Sequence, residues 1–328
     1  MLERPIKIGS FTVKNRLAMA PIDLQKADHG VVTDFNVDFI DERTRGGYVG
    51  MVIVEHNFVR EDGKVSEYQL SNSKEEDVAG LKRLAETIHR NGSIAILQIS
   101  HAGLKAAVAD DGLDGISPSG RQEGEVYEGL RPTHAATQKD LNEITEAFCR
   151  AAERVVRAGF DGVEIHSAHG YLLNQFYSPL TNRRTDAYNC RTIEGRVRLQ
   201  CDITAAVRET IGYYPIVGLR FGACDYQEGG STVEDGARAA VILEQAGLDF
   251  LDVSGGLCGS RPAGWTQVGY FKDASKAVRE VVSIPVITAG GIKTREDAES
   301  LLEEGAADMI AVARPIIADP QWAAKAME

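Results

Sequence analysis

Positive charge is in short supply: 36 Lys and Arg stand against 48 Asp and Glu over 328 residues, a formal charge of −12. Without clustered Lys and Arg there is no electrostatic footprint for a nucleic-acid backbone, and no nucleic-acid partner is expected. Long apolar runs are missing as well. None approaches the roughly 20 residues that cross a bilayer, so no membrane partner is expected. The first residues, MLERPIKIGSF, mix both charges and hold no apolar stretch, so no secretory signal is read there and a cytoplasmic location is expected. Cysteine is sparse and scattered, at Cys149, Cys190, Cys201, Cys224 and Cys258, with no C-x-x-C pair. That argues against zinc or iron–sulfur ligation and fits free thiols in a reducing compartment. A G-x-G-x-x-G fingerprint is also lacking, so a separate Rossmann site is not supported.

What is present is a repeat. After two short extended pieces, Ile6 to Ile8 and Phe11 to Val13, the apolar run Leu17 to Ile22 reads as a buried strand. Helical segments then alternate with apolar runs. Asp34 to Arg45 leads to Tyr48 to Val54, Lys74 to Arg90 to Ile94 to Ile99, and Lys139 to Ala158 to Val163 to Ile165. Thr192 to Thr210 precedes Pro215 to Phe221, and Val233 to Gln245 precedes Phe250 to Ser254. Phe271 to Val282 precedes PVITAGG, and Arg295 to Glu304 precedes MIAVARP. Eight strands joined by helices predict an α/β fold, a (β/α)8 TIM barrel with a short N-terminal hairpin, as one domain over residues 1–328. The segment 102–138, after the third strand, does not fit the repeat. It is read as a lid or substrate-facing excursion, on the side where barrels carry their binding loops.

The stretch DGVEIHSAHGYLLNQFYSP, from Asp161 to Pro179, begins as a strand and ends in chemistry. Strand alternation that sends His166 into a shared pocket sends Val163 and Ile165 into packing. One histidine at a strand end is more often a satisfied core residue. His166, His169 and Tyr171 together, with Gly170 allowing a sharp departure, favour a site; a metal pair is the rival reading. Gly290 and Gly291 end the seventh strand and Arg314 follows the eighth. That is where barrels bind phosphate, through close-approaching backbone N–H groups and a cation.

KIGSFTVKNRLAMAPI, LQISHAG, DGVEIHSAHGYLLNQFYSPLTNRRTDAY, LRF, ITAGGI and AVARP together resemble the Old Yellow Enzyme family of FMN-dependent NAD(P)H oxidoreductases, in order along essentially the whole chain. The resemblance implies FMN as cofactor, NADH or NADPH as reductant, and an activated alkene or quinone as the small-molecule partner. It implies that His166 and His169 hold the electron-withdrawing group of the substrate and that Tyr171 donates a proton. It places Gln98 and Arg220 at the flavin pyrimidine edge. Gly290, Gly291, Ala313 and Arg314 would hold the phosphate, and Pro21, Ile22 and His56 would lie along the ring system. The chemistry is coherent, because a cation near N1 stabilises reduced flavin and imidazoles polarise an enone oxygen.

Four features depart from the family pattern, one of them Asn189-Cys190 after Tyr188, where relatives often have two glycines. Asp23 stands where many relatives have Cys or Thr, His56 where a small residue is usual, and the chain stops at Glu328, so a single-domain FMN enzyme is expected. A homo-oligomer stays open. Two other readings compete: a metal-dependent barrel hydrolase using His166 and His169, and an FMN-binding barrel without turnover.

Overall fold

Ile6–Ile8 (β1) and Phe11–Val13 (β2) pair antiparallel around Gly9–Ser10, as the sequence predicts. The computed structural model describes residues 1–109, 111–121 and 129–328. Leu17–Met19 (β3), Met51–Phe58 (β4) and Ile94–Ser100 (β5) open the barrel. Gly115–Ser117 (β6) and Thr133–Ala135 (β7) form a separate parallel pair within the excursion. The barrel continues with Gly162–Ser167 (β8), Ile216–Cys224 (β9), Phe250–Gly255 (β10), Val286–Ala289 (β11) and Met309–Val312 (β12). Order β3-β4-β5-β8-β9-β10-β11-β12 closes on itself, with every neighbouring pair parallel.

Parallel neighbours need crossovers long enough to return the chain, and helices supply them. They are Asp34–Thr44 (α1), Asp77–Arg90 (α2), Gln138–Arg157 (α3), Ile193–Ile211 (α5, preceded by the short α4, Leu172–Tyr177), Val233–Gln245 (α6), Lys272–Arg279 (α7) and Arg295–Glu303 (α8). Arg314–Ala318 (α9) and Trp322–Met327 (α10) follow the last strand. Thr137, Thr232 and Thr294 start α3, α6 and α8 by accepting the N–H of an Asp three residues on, whose carboxylate bonds back. Each such cap is worth about 1 kcal/mol.

Alternation divides the apolar residues between two compartments. Val163, Ile165, Val217, Leu219, Leu251 and Val253 face outward against the helices. Met51, Ile53, Ile96, Ile216, Phe250, Ile287 and Met309 point inward and pack with Ile8 and Val13 of the hairpin, which plugs the lower end. Phe250 lies opposite Gly218, where a Cβ would fall 2.1 Å from its ring; only a glycine leaves that space.

Some boundaries differ from the sequence reading. The second barrel strand starts at Met51 rather than Tyr48 and runs on to Phe58, because a register shift between Val54 and Asn57 keeps polar residues in the strand. The helix expected over Phe271 to Val282 spans only Lys272–Arg279. The excursion is tied down where described. Buried Arg131 binds both oxygens of Asp111, at 2.5 and 2.7 Å, and donates to the carbonyl of Leu113. Positions 110 and 122–128 of the expected lid lie outside the described residues.

Candidate active site

Along each strand the inward side chains change character near the C-terminal end. Ile96 is followed by Gln98, Gly162 by Glu164 and His166, Ile216 and Gly218 by Arg220, and Phe250 by Asp252. The register sets Gln98 beside Glu164, His166 beside Arg220 and Arg220 beside Asp252. Above them opens a cavity of about 580 Å³. Pro21, His56, Gln98, His166, His169, Tyr171, Arg220, Gly290, Gly291, Ala313 and Arg314 all line it, so the structure brings together eleven of the twelve residues picked from sequence. Ile22 is the exception. β3 ends at Met19, the chain turns, and Ile22 faces a small void beside Leu24, Asn36 and Glu55 instead of the cavity.

The hydrogen bonds fix where the His166 proton sits. Nδ1 of His166 accepts the N–H of Ala168 at 3.2 Å, which leaves the ring proton on Nε2. His169 is held with φ at +58°, a conformation uncommon outside glycine, and its N–H donates to the carbonyl of Gly255. Nε2 of His169 lies 2.7 Å from the hydroxyl of buried Ser254. When Ser254 donates, the ring proton of His169 is on Nδ1. Burial, reinforced at His166 by the charge of His169 and at both rings by Arg220 and Lys105, holds both imidazoles well below the usual histidine range, so they are neutral N–H donors. The His166 and His169 rings are 5.1 Å apart, and the Tyr171 ring is 4.8 Å from that of His166. Burial first, then the charge of Asp23, raises the Tyr171 phenol, which therefore keeps its proton at neutral pH.

Below the histidines lies a fully buried set of charges. Gln98 donates Nε2 to Glu164 at 2.5 Å, and Arg220 pairs with Asp252 at 3.1 Å. Burial, then the neighbouring Asp252, raises Glu164, and burial raises Asp252 too. One guanidinium thus faces two carboxyls, and Arg220 Nε has no hydrogen-bond partner among the described residues. A polar ligand edge resting on Gln98 and Arg220 would satisfy it.

At the other end, Gly290 and Gly291 take φ values of +113° and +71°. A Cβ at Gly291 would meet the Gln267 carbonyl at 2.0 Å, and one at Gly290 the Tyr270 ring at 2.4 Å. Arg314 donates to the Tyr270 hydroxyl at 3.1 Å, and that hydroxyl donates to the Ser260 carbonyl at 3.0 Å. No carboxylate neutralises Arg314 among the described residues. A guanidinium aimed into a cavity beside side-chain-free backbone suits a phosphate. Gln98 and Arg220 at one end of the cavity and Arg314 at the other could hold the two polar ends of a flavin mononucleotide.

Sequence reasoning missed several contributors. Lys105 comes out of the excursion, lines the cavity and donates to the His169 carbonyl at 2.7 Å. Tyr270, Ser254 and Asp252 sit in loops or strands whose polar residues carry no motif of their own. Among the described residues no group of three His, Cys, Asp or Glu is disposed to hold a metal ion, and no helix is long and apolar enough to cross a membrane.

The profile of the NADH:flavin oxidoreductase / NADH oxidase family matches residues 1–328. An NADH oxidase of Thermoanaerobacter brockii is 38% identical over 330 residues, covering 98% of this chain and 50% of that protein. An NADPH dehydrogenase of Halalkalibacterium halodurans is 35% identical over 319 residues, 96% of this chain and 90% of that one. The chain therefore spans about half the length of the first relative and nine-tenths of the second. Among solved structures, an old yellow enzyme homologue from Zymomonas mobilis superposes with a TM-score of 0.83 at 27% identity, covering 97% of this chain and 90% of that one.

Proposed function

Since the chain belongs to the NADH:flavin oxidoreductase / NADH oxidase family, we propose that it is an FMN-dependent NAD(P)H oxidoreductase that reduces activated C=C bonds, with Tyr171 as the proton donor. When bound, FMN would supply the hydride chemistry that links the nicotinamide to the alkene. The rest falls to this chain's residues. His166 and His169 each point an N–H at one carbonyl-type oxygen and stabilise the negative charge that grows there. Gln98 and Arg220 would hold the pyrimidine edge, and the Arg220 charge would balance negative charge on the reduced ring. Gly290, Gly291, Ala313 and Arg314 hold the phosphate, with Tyr270 fixing the guanidinium. Pro21 lies along the ring system.

The observation that carries the reading is the juxtaposition of two neutral imidazoles with a protonated phenol, whose ring is 4.8 Å from that of His166, above a buried guanidinium. Imidazolium is not needed, because a neutral N–H donor in a water-poor pocket suffices for an oxyanion. The phenol then delivers to the carbon next to the carbonyl while hydride reaches the carbon beyond. The match to a family described as NADH:flavin oxidoreductases favours this reading over a hydrolase built on the two histidines as metal ligands.

Tyr171→Phe tests the assignment by splitting the cycle. Reduction of the flavin by NAD(P)H needs no carbon protonation and stays near the parent rate. Reoxidation by an enone falls by about 10²–10⁴-fold, the usual worth of general acid catalysis. Reoxidation by a quinone, which needs no carbon protonation, persists. Stopped-flow absorbance follows both halves, and an unchanged enone rate removes Tyr171 from the role.

A further inference from the structure

His56 reaches the cavity only because of an irregularity. Met51 and Ile53 point inward along β4, so strict alternation would turn Glu55 in and His56 out. The register shift between Val54 and Asn57 reverses this: Glu55 bonds Asn36 of α1 on the outer side, and His56 lines the cavity. Gln69 then fixes the ring. Its Oε1 accepts the Val65 N–H at 2.8 Å and its Nε2 donates to the His56 carbonyl at 3.1 Å, so the amide has one orientation. The same Nε2 lies 2.7 Å from His56 Nδ1, which must accept, and the ring proton sits on Nε2. Nε2 faces Asp23 Oδ2 at 3.6 Å. Gln25 donates to both oxygens of Asp23, at 2.6 and 2.8 Å, and Gln25 in turn accepts from Ser66. Burial opposes the Asp23 charge, but the bonds from His56 and Gln25 outweigh it and hold the carboxyl below its ordinary range.

These contacts give the cavity two unlike ends. The rings meet in a row, His169 to His166 at 5.1 Å and His166 to His56 at 5.9 Å, with Tyr171 against both His166 and His56. Lys105 stands at the His169 end, bonded to its carbonyl, and Asp23 stands at the His56 end. An acceptor whose carbonyl lies against His166 and His169 must present its remaining polar groups to a carboxylate with lone pairs to spare and to one N–H.

We propose that Asp23 and His56 are a specificity-determining pair, selecting acceptors that carry an ammonium or hydroxyl group away from the reacting carbonyl and disfavouring acceptors that carry a carboxylate there. The inference rests on the alkene-reduction reading. The carboxylate attracts a cation or accepts from a hydroxyl, the His56 N–H donates to the same hydroxyl oxygen, and a second carboxylate meets like charge.

The test uses the FMN-loaded protein and four cyclic enones of one scaffold, substituted with aminomethyl, hydroxymethyl, methyl or carboxylate. The parent prefers the first two by kcat/KM and takes the carboxylate worst. Asp23→Asn narrows the ratio of aminomethyl to carboxylate by roughly tenfold or more, as loss of one nearby charge requires. Gln25→Ala, which leaves the carboxylate but frees it to move, narrows it less. The corresponding saturated ketones, titrated while flavin absorption is followed, give the same ratio as dissociation constants without turnover. An unreduced enone series with the ketone ratio intact overturns alkene reduction and leaves the pair standing. Equal changes for all four substituents in Asp23→Asn, in binding and in kcat/KM, overturn the pair, because a shift in flavin reactivity alone moves every acceptor together.

Discussion

The two ends of the barrel are built from the same strands and behave as different materials. On β5, β9 and β10 the lower inward residues are Ile96, Ile216 and Phe250, packed against each other and the hairpin. Two residues further along the same strands, or four in the case of β9, stand Gln98, Asp252 and Arg220, equally buried. The lower end has its requirements met within the chain. The upper end keeps Arg220 Nε without a hydrogen bond among the described residues, although Arg220 and Asp252 pair by charge. Unsatisfied buried polar groups cost about 1–3 kcal/mol each. A fold tolerates them where a ligand later answers them, and the apolar lower end supplies the stability that makes this affordable.

Substitutions at matched positions sharpen the contrast. Phe250→Ala empties the centre of the lower plug and is expected to lose about 3–5 kcal/mol of stability, read by denaturant unfolding. Any flavin that the folded fraction carries should still be reduced and reoxidised. His166→Ala reverses the pattern. Enone reoxidation is expected to drop by about 10²–10³-fold, the cost of one oxyanion donor, while the unfolding midpoint moves far less than in Phe250→Ala. Activity should also survive exhaustive chelation. If His166→Ala proves as unstable as Phe250→Ala, the division between the two ends is not real.

That division was largely legible in the sequence, for reasons that can be named. Alternation along GVEIHS separates Val163 and Ile165 from His166, and glycines at strand ends mark the side proposed for the phosphate. His56 and Ile22 show where alternation runs out. A bulge in β4 has no signature in VIVEHNF, and its consequence, an imidazole turned inward, depends on Gln69 thirteen residues away. Ile22 was read as part of a strand that stops at Met19, because an apolar run does not disclose where the chain turns away. Lys105, Ser254 and Tyr270 act through single contacts made across the barrel mouth, at sequence separations of 64, 85 and 44 residues, and no local pattern announces such contacts.

A smaller effect probes the phosphate end. Arg314 has a tyrosine hydroxyl but, among the described residues, no carboxylate to hold it, which leaves its charge for an anion. Arg314→Ala is expected to weaken FMN retention by about 1.5–3 kcal/mol, the range for hydrogen bonds to charged groups, or about 10- to 150-fold in Kd. Ultrafiltration with flavin fluorescence measures it. Unchanged retention in a folded variant would move the phosphate away from this loop.

The smallest effect concerns Glu55, which the β4 bulge turns out of the cavity and into the packing beside α1. Its Oε2 accepts the Leu24 N–H at 3.0 Å, and Asn36 reaches Oε1 at 3.4 Å. Burial, with the charge of Asp23 adding to it, pushes its carboxyl up to about 8. An unfolded Glu ionises near pH 4.3. Between those values the folded chain binds a proton that the unfolded chain has lost, so the contribution to stability is full below pH 4 and declines as pH rises. The decline is at most about 1.4 kcal/mol per pH unit and stops above the folded value, where both states are ionised. Glu55→Gln keeps an acceptor for Leu24 and cannot ionise. The difference in unfolding free energy between variant and parent should therefore grow in favour of the variant from pH 5 to pH 8 and level off beyond it. Other titrating groups, Glu164 and Asp252 among them, are common to both proteins and cancel in that difference. Parallel profiles across this range would mean that Glu55 is already ionised in the folded chain, and that the bulge leaves it in contact with water.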